Sequence, residues 1–131
     1  MDRDALTRWV GAYEAAWRAP GVAALDALFT EDAAYSTAPY ENAHVGLPAI
    51  RAMWEAGRSP REAFSMATEV VAVEGDVGVV RVAVHYTAPR DQEYRDLWIV
   101  RLAADGRCAS FEEWPFWPAG SGGGYDPGPS S

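Results

Sequence analysis

Apolar residues recur every three or four positions near the start of the chain. Leu6, Trp9, Val10, Tyr13 and Trp17 share one helical face, with Asp2 placed to cap the first turn. Pro20-Gly21 interrupts the pattern, and Val22, Leu25, Leu28 and Phe29 define a second, shorter helix. The stretch AAYSTAP (33–39) predicts a strand and YENAHVG (40–46) a loop. In LPAIRAMWEAG (47–57), Pro48 suits a first helical turn, Ile50, Met53 and Trp54 share a face, and Gly57 ends the helix. From residue 64 the period changes to two. FSMATEVVAVE (64–74), VGVVRVAVHYT (77–87), EYRDLWIVRLA (93–103) and RCASFEEWPF (107–116) are rich in β-branched and aromatic residues. Gly75-Asp76 and Asp105-Gly106 mark tight hairpins, and 88–92 a looser one.

Three helices followed by a run of antiparallel strands define an α+β protein: a curved half-barrel closed by helices on one face. Alternation assigns the faces of the later strands. Val80, Val82, Val84 and Tyr86 form an inner row and leave His85 outside. In the next strand Asp96, Trp98, Val100 and Leu102 oppose Arg95, Leu97, Ile99 and Arg101, and the two arginines mark the outer row. In the last strand Ala109, Phe111 and Glu113 oppose Ser110, Glu112 and Trp114, so the pleat admits only one of the adjacent glutamates to the interior.

Composition narrows the function classes. The chain has 131 residues, a length that suits one domain, and a formal charge of −8 with no Lys/Arg cluster, which argues against nucleic-acid and anionic-membrane partners. Every basic residue is Arg, so lysine Schiff-base chemistry is unavailable. Cys108, His44 and His85 cannot make up a four-ligand zinc site, and the reading calls for no metal and no cofactor. No stretch approaches the roughly 18 apolar residues of a membrane span, and MDRDALTRWV lacks a secretory pattern, so the expectation is a soluble cytoplasmic protein. Residues 1–118 are read as a single domain and 119–131, rich in Gly, Pro and Ser, as a flexible tail.

The order of elements, with YEAAWRAPGVAALDALFTEDAAYS leading to GLPAIRAMWE and closing on DGRCASFEEW, resembles the nuclear transport factor two-like superfamily, in its SnoaL-like and ketosteroid-isomerase-like branch. The resemblance spans about residues 4–117 and implies a cone-shaped, cystatin-like fold around a pocket. It also implies catalytic candidates. Tyr13 matches the tyrosine that polarises the substrate carbonyl in the isomerases, and Phe29 and Trp54 match its supporting tyrosines. The isomerase base falls on Thr37, which cannot abstract a proton α to a carbonyl at neutral pH, and the protonated oxyanion-hole aspartate falls on Trp98. One acid of the family's epoxide-hydrolase triad falls on Glu113, yet the strand that should supply the other two reads Val80, Val82, Val84 and Tyr86. The match points Glu113 inward and Glu112 outward.

Glu113, Asp96 and Tyr13 are therefore the catalytic candidates. Trp17, Phe29, Tyr35, Thr37, His44, Trp54, Tyr86, Trp98 and Phe111 are expected to line the substrate cavity, His44 from a loop where relatives place the pocket mouth. Leu97, Ile99 and Trp114 leave the outer sheet face apolar enough for a two-fold homodimer. Three readings stay open: a cofactor-free acid–base enzyme acting on a small apolar oxygenated metabolite, a non-catalytic pocket for such a ligand, and a dimeric interaction module.

Overall fold

The computed structural model describes residues 1–57 and 63–119. Helix α1 runs Arg3–Arg18, with the Asp2 carboxylate accepting the Ala5 amide at 2.8 Å. Its inward row is Leu6, Trp9, Val10, Tyr13 and Ala16. Helix α2 is a single turn, Leu25–Leu28, and β1 follows at once as Phe29–Ser36. Phe29 was expected to continue the helix. Instead it ends α2 through its amide to the Leu25 carbonyl and pairs with Cys108, because a one-turn helix without a side-chain cap yields to a sheet partner.

The loop expected over 40–46 contains a two-residue strand, β2 His44–Val45, paired with Tyr35 and Ala34. So short a strand has no period for a sequence to display. Helix α3 spans Leu47–Ala56, and β3 Ala63–Glu74, β4 Val77–Ala88, β5 Gln92–Leu102 and β6 Cys108–Phe116 complete the chain's elements. The strand order is β2-β1-β6-β5-β4-β3. All pairs are antiparallel except β1–β6, so the sheet is mixed, and it does not close into a barrel. The tail read as flexible lies, apart from Ala119, outside the described residues.

One apolar core joins α1, α2 and α3 to one sheet face. Leu6, Leu25 and Ile50 from the helices meet Val80, Val100 and Phe111 from the strands, all at 1% exposure or less. Helix α1 presses so close to β4 that a Cβ on Gly78 would collide with Leu6 Cδ2, and the Leu6 side chain would have to shift to admit any larger residue. At its far end Arg18 bridges α1 to β3: it donates to the Phe64 carbonyl at 3.0 Å and lies 4.2 Å over the Phe64 ring.

Two irregularities shift the alternation. Between Arg101 and Leu102 the β5–β6 register slips by one residue of β6. This bulge puts both Cys108 and Phe111 in the core, where strict alternation expected Ala109 on the inner side. A similar slip between Val70 and Ala72 lets Val70 and Val73 both pack inward.

Candidate functional site

The inner rows of β5 and β6 bring two carboxyl groups together. Glu113 pairs across the strands with Trp98, and Asp96 with Pro115, so the acids are diagonal neighbours within reach of each other's side chains. They share a hydrogen bond. Two carboxylates cannot do so unless one holds a proton. Burial drives the Glu113 carboxyl well above its usual range, and the charge and hydrogen bond of Asp96 drive it further. Asp96 is raised to about 6, again by burial, with its hydrogen bonds pulling the other way. The proton therefore rests on Glu113, which donates to the Asp96 carboxylate.

Local sequence explains why Asp96 is the charged partner. Its Oδ2 accepts the indole N–H of Trp98, two residues on, at 3.0 Å. Opposite it, Pro115 has no N–H to offer the ladder, and the neighbouring Trp114 amide donates to Asp96 Oδ1 at 3.1 Å. With the Glu113 proton these give the buried charge three donors, which is what a carboxylate at 3% exposure requires.

Tyr13 from α1 stands on the other side of this pair. Its hydroxyl lies 2.7 Å from that of Tyr35 on β1. Its ring stacks on Phe111 at 5.4 Å and approaches Trp98 at 4.6 Å. Burial, followed by the neighbouring Tyr35 and Glu113, holds the Tyr13 hydroxyl well above its ordinary value; burial and then Glu113 do the same for Tyr35. Both phenols are neutral donors at pH 7. Two hydroxyl protons serve one mutual bond, which leaves the second free for a ligand oxygen.

These groups face a cavity of about 120 Å³. Of the residues expected to line it, Tyr13, Trp17, Tyr35, Thr37, Trp98 and Glu113 do. Others are placed elsewhere. Phe29, Phe111 and Trp54 are at most 1% exposed and belong to the core behind the wall. Asp96 also stands behind it, reaching the cavity only through Glu113. The Tyr86 hydroxyl accepts the Trp17 indole at 3.2 Å and so braces a wall residue without lining the cavity. His44 is held in edge strand β2 beside Tyr35 and does not reach the cavity.

Met53, Gly57, Met66 and Tyr94 complete the wall and were not among the candidates. Alternation carried the signal for two of them. Tyr94 precedes Asp96 and Trp98 on the inner row, and Met66 pairs with inward Val84. Met53 was visible on the α3 face but reads as ordinary core. Among the described residues, no three of His, Cys, Asp and Glu converge as metal ligands, and no helix is long and apolar enough to cross a membrane. Cys108 is fully buried, and burial pushes its thiol up to about 12, so it is no nucleophile.

An unclosed mixed sheet of six strands with helices at the N-terminus is a ketosteroid-isomerase-like, nuclear transport factor two-like fold. Residues 10–111 match the SnoaL-like domain family, and the chain belongs to it. Solved structures agree on the fold. A steroid delta-isomerase from Pseudomonas aeruginosa is similar with a TM-score of 0.66 and 16% identity, covering 92% of this chain and 85% of that one. An epoxide hydrolase from M. tuberculosis gives 0.70 and 13%, covering 86% and 84%. A protein with a ketosteroid-isomerase-like fold from Catenulispora acidiphila, in complex with trimethylamine, gives 0.69 and 18%, covering 86% and 87%. A comparison with curated proteins finds no match.

Proposed function

We propose that this SnoaL-like protein is a cofactor-independent acid–base enzyme acting on a small, apolar, oxygen-bearing metabolite, with Glu113 as its proton donor. The observation that carries this reading is the meeting of the Glu113 and Asp96 carboxyls, diagonal neighbours on β6 and β5, at the wall of an aromatic cavity. Perturbed, paired acids in a cavity are where acid–base catalysts are found.

The chemistry follows from the placement of charge. When a substrate enters, the Glu113 proton leaves its bond to Asp96 and passes to a substrate oxygen, while the Tyr13–Tyr35 pair donates to the same oxygen. The Glu113 carboxylate left behind faces the Asp96 carboxylate, and repulsion between like charges raises its basicity. It then takes a proton back from a substrate carbon or a water. One group that gives and then recovers a proton suits isomerisation, cyclisation, dehydration or hydrolysis. Thr37 and Trp98 stand where the isomerases resembled by this chain keep their acids, so the site runs on a different pair of carboxyls. A non-catalytic binding pocket is the second reading, favoured by those same two replacements.

Screening apolar lactones, enones and epoxides for turnover tests the proposal. Replacing Glu113 with Gln keeps a donor toward Asp96 and removes the transferable proton. It should abolish turnover and leave ligand affinity within a few fold; turnover as in the wild type would sink the catalytic reading.

The outer sheet face supports a further proposal, that two copies pair through it. Leu97 and Trp114 are 37% and 39% exposed and stand opposite each other on β5 and β6, and Phe116 beside them is 58% exposed. Pro39, Tyr40, Trp114, Pro115 and Phe116 line an apolar groove of about 400 Å³ along this edge.

A further inference from the structure

The acid–base reading leaves open the ligand's size and its charge, and the cavity wall limits both. Its volume is about 120 Å³. A dry apolar cavity of about 150 Å³ holds one benzene ring. This cavity is slightly smaller, so one six-membered ring is the most it holds, and a fused second ring exceeds it. Gly57 is exposed and marks the mouth, so a small substituent on that ring has a way out.

Charge is limited just as closely. Among the described residues no Arg or His lines the cavity. A ligand carboxylate would lose its hydration and find no cation among the described lining residues. A ligand ammonium would find no exposed anion among them either. The charged member of the acid pair, Asp96, is buried behind the wall with Trp98 Nε1 and Trp114 N on its two oxygens, and only Glu113 reaches the cavity. The polar side chains on the wall are all uncharged donors or acceptors, the Glu113 carboxyl and the Tyr13, Tyr35, Thr37 and Tyr94 hydroxyls, with Tyr13 and Tyr35 bonded to each other, so a ligand oxygen finds donors there. Much of the rest is the sulfur and ring carbon of Met53, Met66, Trp17 and Trp98.

We propose that the cavity takes a neutral ligand no larger than one six-membered ring and bearing an acceptor oxygen, such as a cyclic ketone, enone or epoxide, and rejects fused-ring and charged molecules. Which wall group meets that oxygen rests on the acid–base reading above; the limits on size and charge do not.

Isothermal titration of a graded series tests this: cyclohex-2-enone, its fused two-ring homologue, a four-ring steroid enone, cyclohexanecarboxylate and cyclohexylammonium. Each is titrated into the wild type and into Glu113→Gln. Cyclohexenone should bind both proteins, the two-ring enone at least about tenfold more weakly, and the other three not measurably. Two further variants change the wall itself. Met66→Ala widens it and should reverse the order of the one-ring and two-ring enones. Gly57→Val narrows it. Its backbone lies at φ −87° and ψ 0°, open to L-residues, and among the described residues an added Cβ meets the Met53 carbonyl at 3.4 Å. That variant should fold normally and weaken cyclohexenone.

A steroid enone binding the wild type as tightly as cyclohexenone would overturn the size limit. Tighter binding of either charged probe would overturn the charge limit, and failure of the whole series to bind would overturn both. Turnover that survives Glu113→Gln removes the acid–base reading and leaves these limits standing, so the two failures are distinct.

Discussion

The same three-residue device is built on both faces of the β5–β6 pair. Asp96 and Trp98 form an indole-to-carboxylate bond of 3.0 Å on the inner face. Glu112 and Trp114 form one of 2.8 Å on the outer face. An acid two residues before a tryptophan stands on the same side of a strand, so the bond is local in both cases. What surrounds it differs. Trp98 is 1% exposed and Trp114 39%. Inside, the carboxylate must gather every donor in reach and shares a proton with Glu113; outside, water does that work and the bond only orients a surface ring. Identical local chemistry thus makes a candidate catalytic pair on one face and an exposed apolar patch on the other.

Removing one partner at a time should expose this contrast. The largest effect is expected from Glu113→Gln, with turnover down by at least about 100-fold, the usual contribution of a general acid or base. Steady-state kinetics on any substrate from the screen reads it, and the melting temperature at pH 7 should hold or rise because the amide still donates to Asp96. Glu112→Gln, one residue away on the other face, should leave both unchanged.

Trp98→Phe comes next. It strips a donor from a buried charge and leaves a small void, costing about 2–4 kcal/mol in denaturant unfolding. Trp114→Phe breaks the matching outer bond and should cost under about 0.5 kcal/mol. Equal losses from the two would break the comparison.

A change of pH then tests the inner pair. Asp96 titrates near 6 in the fold against 3.8 for the free side chain. Between those values the folded protein holds a proton that the unfolded chain has lost. Its contribution to stability is therefore fully present below about pH 4, is lost as pH rises through 6, and amounts to roughly 3 kcal/mol. Thermal unfolding of wild type against Asp96→Asn from pH 4 to 8 measures it, and the wild type should lose more stability over that range than the variant.

The smallest effect on folding is expected from Trp114→Arg. Light scattering should show wild-type dimers and variant monomers with little change in melting temperature. Wild-type protein that stays monomeric at high concentration would remove the outer face as a contact surface.

Much of this architecture was legible because helix and strand periods differ. The α1 face, the inner rows of β4 and β5, and Asp2 as a cap all followed from spacing. The candidate site was legible in part. Alternation on β5 put Asp96 inside, while for β6 it offered two registers and left the choice between Glu112 and Glu113 to the family resemblance. The misses share a cause. Phe29 left the helix, β2 formed and the β6 bulge brought Cys108 inward because each gained a partner far along the chain. Phe111 and Trp54 were expected at the cavity wall and packed behind it, since an aromatic side chain carries no mark of which side of a wall it fills.

By itself the sequence determined which residues lie on which face, since backbone geometry sets periods of 3.6 and 2 whatever the partner. It also placed an acid two residues before a tryptophan on each face of the last two strands. Only the tertiary structure decided that Asp96 and Glu113 meet and share one proton. That depends on the register between two strands and on the water excluded by α1 and β1, and desolvation is a property of the whole packed assembly that no local pattern encodes.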